Sequence, residues 1–580
     1  INLGYNKNDK EVNEMPKIPY GVSNFAKLRK NNYLYLDKTE YIEVLENYGE
    51  PYIFFLRPRR FGKSLFLSTL EHYYDCKAQA DFTELFGGLY IGENKTDLAN
   101  SYYILKFNFS KLDTSNQEEL LKDFKRTVVE SLEKFEAKYD LDFEYTKTGR
   151  PAQIFYSFLM KVEYEIEGKI YVLIDEYDHF ANELLSFQVD TFEEVISKTG
   201  FVRKWYETLK EGTEIGIVDR IFATGVSPIT LDSLTSGFNI AKNKSRDKNL
   251  NEMMGFTEQE VKRLLNKILE DENNEDIFAK LKRYYNGYLF NEKAEKRLFN
   301  SDMVLYYLGE YQIDNEEPSD LIDTNISSDY AKMRELFTLK NKERNYKILK
   351  EIVKGELQQT AITREFSLAK EFSAEDFLSL LFYLGFLTID SSVLNLVNLR
   401  VPNYVVKELY FDFFAKIIKD DAEYDLETVE IKQSIIKLAL EGDITEFIEI
   451  VEQTLKRLSN RDYIKFDEKY IKLIMLSYLM LSRVYYVKSE YEIEDGYLDI
   501  ALLERSGVEP KYEAVIELKY IKKSIYNKKG DEIVQQKLEE AQEQLLKYRE
   551  AEELKSKANL KKWVLVFVGA ECVEHLEIKE

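Results

Sequence analysis

The stretch FFLRPRRFGKSLFL, residues 54–67, decides how the first half of the chain is read. It passes from an apolar strand through a tight basic turn into Gly62-Lys63-Ser64, which opens a helix-like segment. A phosphate-binding loop needs backbone N–H groups converging at a helix N-terminus, a lysine that reaches the outer phosphates and a hydroxyl that holds Mg²⁺. Gly62, Lys63 and Ser64 stand where those parts belong. The glycine that usually begins such a loop is replaced here by Arg57, and Pro58 stiffens the turn. Basic turns before helices are common, so this segment alone leaves an ordinary turn open.

A second segment bears on that choice. IYVLIDEYD, residues 170–178, is a buried-strand pattern ending in acids at its carboxyl edge, where open α/β sheets bind ligands. Asp175 is expected to hold Mg²⁺ through water, and Glu176 to polarise an attacking water. Two acids after a strand are also a common helix start. The two segments stand in the expected order and support each other. RIFATGVSP, residues 220–228, reads as a further strand that brings Thr224 and Ser227 towards a γ-phosphate. Arg59, Arg60 and Arg220 are candidate anion contacts, weighed against ordinary surface charges.

Working outward, residues 51–230 alternate apolar strand-like runs with amphipathic stretches, the pattern of a mostly parallel sheet covered by helices. From about 255 to 460 the apolar period becomes 3.6 with hardly a strand. The expected division is a nucleotide domain over 1–240, a helical lid over 241–312 and a helical middle region over 313–462. A compact α/β module follows over 463–580: a helix (468–483), strands near 486–493, 496–504 and 511–521, a charged helix (531–557) and a last strand, KWVLVFVGA.

Composition narrows the function classes. The 580 residues are 44% hydrophobic and 32% charged with only 9 Pro and 24 Gly, which indicates several folded domains without long disordered linkers. Two cysteines and three scattered histidines support neither a disulfide framework nor a zinc site, and a reducing cytoplasm is the expected location. The longest apolar runs, LIMLSYLML (473–481) and FLSLLFYLGFLTI (377–389), fall short of the roughly 18–20 residues of a membrane helix. No membrane partner is expected, and the first residues show no secretory pattern. A net charge of −23 excludes a surface that coats nucleic acid as a whole and leaves only a local basic patch for that task.

The second chemical constellation is EDGYLDIALLERSGVEPKYEAVIELKYIKK, residues 494–523. If the hairpin is symmetric about Val508, Asp499 falls opposite Glu517. Alternation then puts Asp499, Ala501 and Leu503 on one face with Val515, Glu517 and Lys519, while Ile500, Leu502, Ile516 and Leu518 point into a core. Opposed carboxylates repel, and a divalent cation is expected to compensate them, Mg²⁺ or Mn²⁺. Lys519 would stand beside that metal to orient or deprotonate a water and steady a pentavalent phosphorus. The bland alternative is a solvated face carrying an ion pair. Lys511, Lys522, Lys523, Lys528 and Lys529, interleaved with Tyr512, Tyr520 and Tyr526, suit a phosphate backbone approached without base reading, or merely a soluble loop.

The segments IPYGVSNFAKLRKNNYLYLDKTEYI, RPRRFGKSL, VLIDEYD, ATGVSPITLDSLTSGFNIA, EMMGFTEQEV and YYNGYLF resemble successive motifs of bacterial AAA-ATPase-like proteins that carry a C-terminal PD-(D/E)XK nuclease-like domain. The resemblance is close over about residues 18–310, thins through the middle and returns near 468–570. It implies ATP at Arg57, Pro58, Arg59, Arg60, Phe61, Gly62, Lys63, Ser64, Leu65 and Asp175, with Mg²⁺ on Ser64 and Asp175. KSEYEIEDGYLDIAL and YEAVIELKY resemble the nuclease signature. Carried over, Asp499 and Glu517 become metal ligands and Lys519 the catalytic lysine. Glu490 matches an upstream acid, Gln544 a polar helix residue lining the site, and Glu468 a weaker acid candidate. The long segment KKSIYNKKGDEIVQQKLEE (522–540) separates Gln544 from the catalytic strand more than the pattern expects. The expected activity is an ATP-controlled, Mg²⁺-dependent nuclease acting on DNA or RNA, alone or with a protein or homo-oligomeric partner. The alternative is a nucleotide-dependent switch whose C-terminal domain grips nucleic acid without cutting.

Overall fold

The computed structural model describes residues 17–181, 200–228, 238–269, 274–323, 336–337, 341–364, 372–422, 427–458, 467–493, 496–505, 507–548, 557 and 559–579. It is a mixed α/β protein whose chain divides into two compact units, 1–313 with 359–403, and 314–358 with 404–580. The chain therefore crosses between units three times. The segment 313–462, expected as a helical middle region, is divided between these two units.

In the first unit, β1 (Tyr52–Leu56), β2 (Tyr102–Asn108), β3 (Lys169–Asp175), β4 (Val218–Gly225) and β5 (Lys242–Asn243) form a parallel sheet of order β2-β3-β4-β1-β5. Both sheet faces are covered, which is why these strands read as near-continuous apolar runs. Along β2 the ring of Tyr102 meets Tyr74 of α1 (Lys63–Tyr74). Its neighbour Tyr103 points the other way, against Phe135 and Tyr139 of α2 (Gln117–Tyr139). On that second face Phe107 packs 4.8 Å from the buried ring of Trp205, which stacks on Phe155 of α3 (Pro151–Glu165). Trp205 belongs to α4 (Phe201–Ile215).

The carboxyl ends of β1, β3 and β4 meet at one edge, with β4 between the other two. Gly225 closes β4 where no side chain fits: an added Cβ would lie 2.2 Å from Asp178 Oδ1 and 2.5 Å from the Tyr177 ring. Asp178 accepts the backbone N–H groups of Val226 and Ser227, and the Tyr177 hydroxyl donates to the Ser227 carbonyl. Gly225→Ala is expected to cost about 1–3 kcal/mol by overpacking. Thermal unfolding measures it, and a wild-type midpoint would show that the clamp relaxes freely.

Residues 388–400, read as helical from sequence, instead form a hairpin of β7 (Thr388–Val393) and β8 (Leu396–Arg400), which joins β6 (Gln358–Thr360) in a small sheet. Leu394 turns it in the left-handed region, a conformation that sequence gave no sign of.

In the second unit, β9 (Tyr485–Ile493), β10 (Gly496–Glu504), β11 (Glu513–Ile521), β12 (Leu560–Val568) and β13 (Glu571–Glu577) form a sheet of order β13-β12-β11-β10-β9, with only β11 and β12 parallel. The helices α5 (Tyr404–Ala422), α6 (Thr428–Glu441), α7 (Thr445–Leu458) and α8 (Glu468–Ser482) pack together. The run LIMLSYLML lies inside α8, buried along its length, so its apolarity serves a core. Segment 522–540 is no loop. It folds as α9 (Lys523–Lys529) and the first half of α10 (Asp531–Tyr548), which packs on β11 and β12. Residues 549–556 of the expected helix lie outside the described residues, and β13 was not foreseen. Among the described residues no helix is long and apolar enough to cross a membrane. The two cysteines are free.

Candidate functional site

In the first unit, the turn between β1 and α1 takes its shape from two left-handed residues, Arg60 (φ 71°) and Gly62 (φ 86°). Gly62 is the N-cap of α1, so the helix begins with N–H groups directed at the loop. Ser64 hydrogen-bonds to Asp175, bringing the hydroxyl and the strand-end acid together as expected. Asn108 also donates to Asp175, at 3.4 Å. The Asp175 Oδ1 atom is buried with no partner. Burial first, then Glu176, raises the Asp175 carboxyl above the usual range, against the lowering pull of Ser64, Lys63 and Lys106. Glu176 is half-buried and left-handed at φ 53°, a conformation that costs a non-glycine residue energy and is concentrated at functional sites. A buried orphan oxygen beside a hydroxyl and a lysine fits a hydrated cation carrying a phosphate. Lys63 is buried and donates to the Pro58 carbonyl at 3.1 Å.

Several expectations change here. Arg57 does not face a phosphate: it is 1% exposed, donates to the carbonyls of Leu56, Ser245, Leu250 and Asn251, and lies between the rings of Phe55 and Phe290. Its aromatic neighbours and carbonyl partners draw it into the core. Phe61 is likewise buried, against Tyr288 and Phe290, so the loop is anchored from behind on residues of the expected lid. Pro58 packs at Gly385. Arg220 lies at the opposite, amino end of the sheet, beside the Tyr102 hydroxyl, because it precedes Ile221, the partner of Tyr52. The hydroxyls of Thr224 and Ser227 are turned onto the Phe55 carbonyl and Asp178. Arg59 and Arg60 keep their place on the loop. Their carbonyls accept from Asn300 and Ser301, and the Arg60 guanidinium stands 3.5 Å from Asp302. Leu65 lies in the first turn of α1.

In the second unit, the register Ile500 with Ile516, Ala501 with Val515 and Leu502 with Ala514 places Asp499 across from Glu517. The ladder stops there. Asp499 Oδ2 accepts the Leu518 N–H at 2.9 Å, and Glu468 accepts the Tyr520 N–H at 3.2 Å. Two carboxylates thus cap the edge of β11 that β10 has released. Both faces of the hairpin are core: Ile500, Leu502, Ile516 and Leu518 on one, Ala501 and Val515 packed with Ala541 and Leu545 of α10 on the other. The acids sit at the rim of a core, not on a solvated face.

The expected repulsion is compensated differently from the sequence reading. Lys519 lies 2.7 Å from Glu517 Oε1, and Lys472, which sequence reasoning missed, lies 3.0 Å from Asp499 Oδ1. A divalent ion is therefore not an electrostatic necessity. What fits one is the second Glu517 oxygen, Oε2, buried without a partner. Burial and then Asp499 raise the Glu517 carboxyl, and burial and Asp499 do the same for Glu468. Burial works to lower the Lys519 ammonium, but the Glu517 hydrogen bond and the charges of Glu517, Asp499 and Glu468 outweigh it, so Lys519 is held above its ordinary value. Among the described residues no three His, Cys, Asp or Glu side chains form a metal-holding cluster. The pairs Leu498 with Tyr491 and Ile500 with Ser489 put Glu490 at the register position across from Asp499, and its side chain lies outside the described residues. Gln544 lies on α10 with its Oε1 buried and unpartnered.

These shifts fix a pH dependence. A carboxyl raised in the folded state stabilises the fold below the ordinary Glu value of 4.5, and that contribution is lost as pH rises through the raised value. The parent is expected to lose stability relative to Glu517→Gln as pH rises above the ordinary Glu value of 4.5. Added Mn²⁺ should reverse the loss at pH 7. Thermal melts of both proteins on either side of that value test this, and a pH-independent difference would contradict the buried, unpaired oxygen.

Comparison with known proteins gives a family match over each of the two regions that hold these clusters. Residues 19–235 match the family described as predicted AAA-ATPase, and residues 466–577 match the PD-(D/E)XK nuclease superfamily. A curated relative, "Uncharacterized protein in vnfD 5'region" of Azotobacter chroococcum mcd 1, is 28% identical over 313 residues, 53% of this chain and 55% of that protein. The match spans about half the length of that relative. With Ser64 on Asp175 in one unit and Asp499 facing Glu517 and Lys519 in the other, the chain carries one segment that matches the predicted AAA-ATPase family and a second that matches the PD-(D/E)XK nuclease superfamily.

Proposed function

We propose that this chain is a nucleotide-controlled, Mg²⁺-dependent nuclease in which the first unit binds ATP and the second cleaves phosphodiester bonds in DNA. The observation that carries the reading is the buried, unpartnered Oε2 of Glu517 beside Asp499 and Lys519. A divalent ion held by Asp499 and Glu517 would supply Lewis acidity at a phosphoryl oxygen and a water more easily deprotonated than bulk water. The chain's own residues do the rest. Lys519, kept protonated by its carboxylate neighbours, offers a fixed positive charge to developing negative charge at phosphorus. Asp499 and Glu468 hold the β11 edge through the Leu518 and Tyr520 N–H groups, so Glu517 and Lys519 keep their directions. In the first unit, Lys63 would leave the Pro58 carbonyl for a phosphate, with Ser64 and Asp175 on the accompanying Mg²⁺ and Glu176 towards the attacking water. The three chain crossings between the units offer a covalent route for relay of nucleotide state.

Release of fragments from plasmid DNA by purified protein with Mg²⁺ and ATP, absent in Lys519→Ala, tests this reading, with an RNA substrate run alongside. Equal cutting by both proteins would overturn it. A second reading, a nucleotide-dependent switch that grips nucleic acid without cutting, is favoured by the loop itself, where Lys63 is folded onto Pro58 and Arg57 is spent on the core. Retained ATP and DNA binding with no cleavage under any divalent ion would decide for the switch.

A further inference from the structure

The helix α8 carries Glu468 and Lys472 one turn apart, and both reach the splayed end of the hairpin. Lys472 is buried in a helix whose following residues, Leu473 to Met480, all serve the core. A lysine loses much on burial unless its charge is met, and here Asp499 Oδ1 meets it at 3.0 Å while Oδ2 takes the Leu518 N–H. Asp499 thus has both oxygens engaged. Glu517 has one oxygen on Lys519 and one open.

We infer that Lys472 is a positioning residue whose ammonium stands in for a second metal ion, so that the Asp499–Glu517 site takes one divalent cation. The inference rests on the nuclease reading and adds to it a stoichiometry. Two ions about 3.5–4 Å apart need a bridging carboxylate and further oxygen ligands for each. The described residues provide no third acid in a metal-holding cluster, and Lys472 already occupies the Asp499 oxygen that a bridge would use. Among the described side chains, two ammonium groups, Lys472 and Lys519, already stand against the carboxylates of Asp499, Glu517 and Glu468, so that a second divalent ion would meet repulsion where a first finds the open Glu517 oxygen. Lys472 also fixes the Asp499 carboxylate, whose other oxygen holds β11 in place.

Titration calorimetry of the full chain with Mn²⁺ tests this without any turnover. Because the first unit has its own candidate metal residues, uptake by the second is read as the difference between the parent and Glu517→Gln. The expected difference is one Mn²⁺ per chain. Lys472→Met is expected to bind that ion at least ten-fold more tightly or to take up a second one, and Lys472→Arg to match the parent. A parent difference of two ions, or an affinity and stoichiometry unchanged in a folded Lys472→Met, overturns the inference. If Lys472→Met does not fold, the one-ion count and the Lys472→Arg result still decide it. No difference at all between the parent and Glu517→Gln removes the metal reading, and this inference with it.

Discussion

Lys519→Ala is expected to abolish plasmid cleavage, with a loss on the order of a hundred- to a thousand-fold, while leaving the fold and DNA binding in place. The expectation follows from position. Lys519 is only partly exposed, its Nζ lies 2.7 Å from Glu517 Oε1, and the charges of Asp499 and Glu468 reinforce its protonation. A cation held so firmly beside the open Glu517 oxygen is poised for a phosphoryl group, and removing it takes away stabilisation where charge develops. The substitution also leaves Glu517 with no ammonium partner, so a purely structural role predicts a lower melting temperature and weakened metal binding. Lys519→Arg separates the two. It restores charge and melting temperature, and cleavage that stays low shows that the position of the ammonium matters. Full cleavage in folded Lys519→Ala would exclude the lysine from the chemistry.

Arg57→Ala is expected to destabilise the first unit by about 3–5 kcal/mol in the absence of any nucleotide. Its guanidinium serves four backbone carbonyls and two aromatic faces, and burial pushes its pKa down to about 9, still charged at neutral pH. Truncation leaves a cavity between Phe55 and Phe290 and strands carbonyl oxygens away from water. Thermal unfolding without ligand is the decisive measurement. An unchanged midpoint with weakened ATP binding would return Arg57 to the nucleotide contacts that the loop pattern assigns to it.

The two sites were legible in the sequence to different depths. The Asp499–Glu517 pairing follows from hairpin symmetry about Val508, since antiparallel register is fixed once the turn is placed, and Ile500 with Ile516 realises it. The alternation of apolar runs likewise led to a parallel sheet with Asp175 at its carboxyl edge. Arg57 misled because its partners, Ser245, Leu250 and Asn251, are backbone carbonyls almost two hundred residues away, and carbonyl acceptors leave no trace in residue type. Lys472 did leave a trace: a lysine between Ile471 and the run LIMLSYLML, at a point where the helix is too apolar to carry a buried charge without a carboxylate to meet it. The hairpin at 388–400 escaped because its apolar residues are too few to separate period 2 from period 3.6.

The interleaving of the two units has a consequence for synthesis. Residues 314–358 leave the ribosome before 359–403 has joined the first unit, and they wait for partners that begin only at Tyr404. The ATPase-like half can close while Glu517 and Lys519 are still untranslated, so a nascent or prematurely terminated chain carries the ATPase-like half without the nuclease-like half. Scission near residue 462 does not liberate an intact nuclease-like unit either, because α5 to α7, which pack around α8, remain on the other fragment.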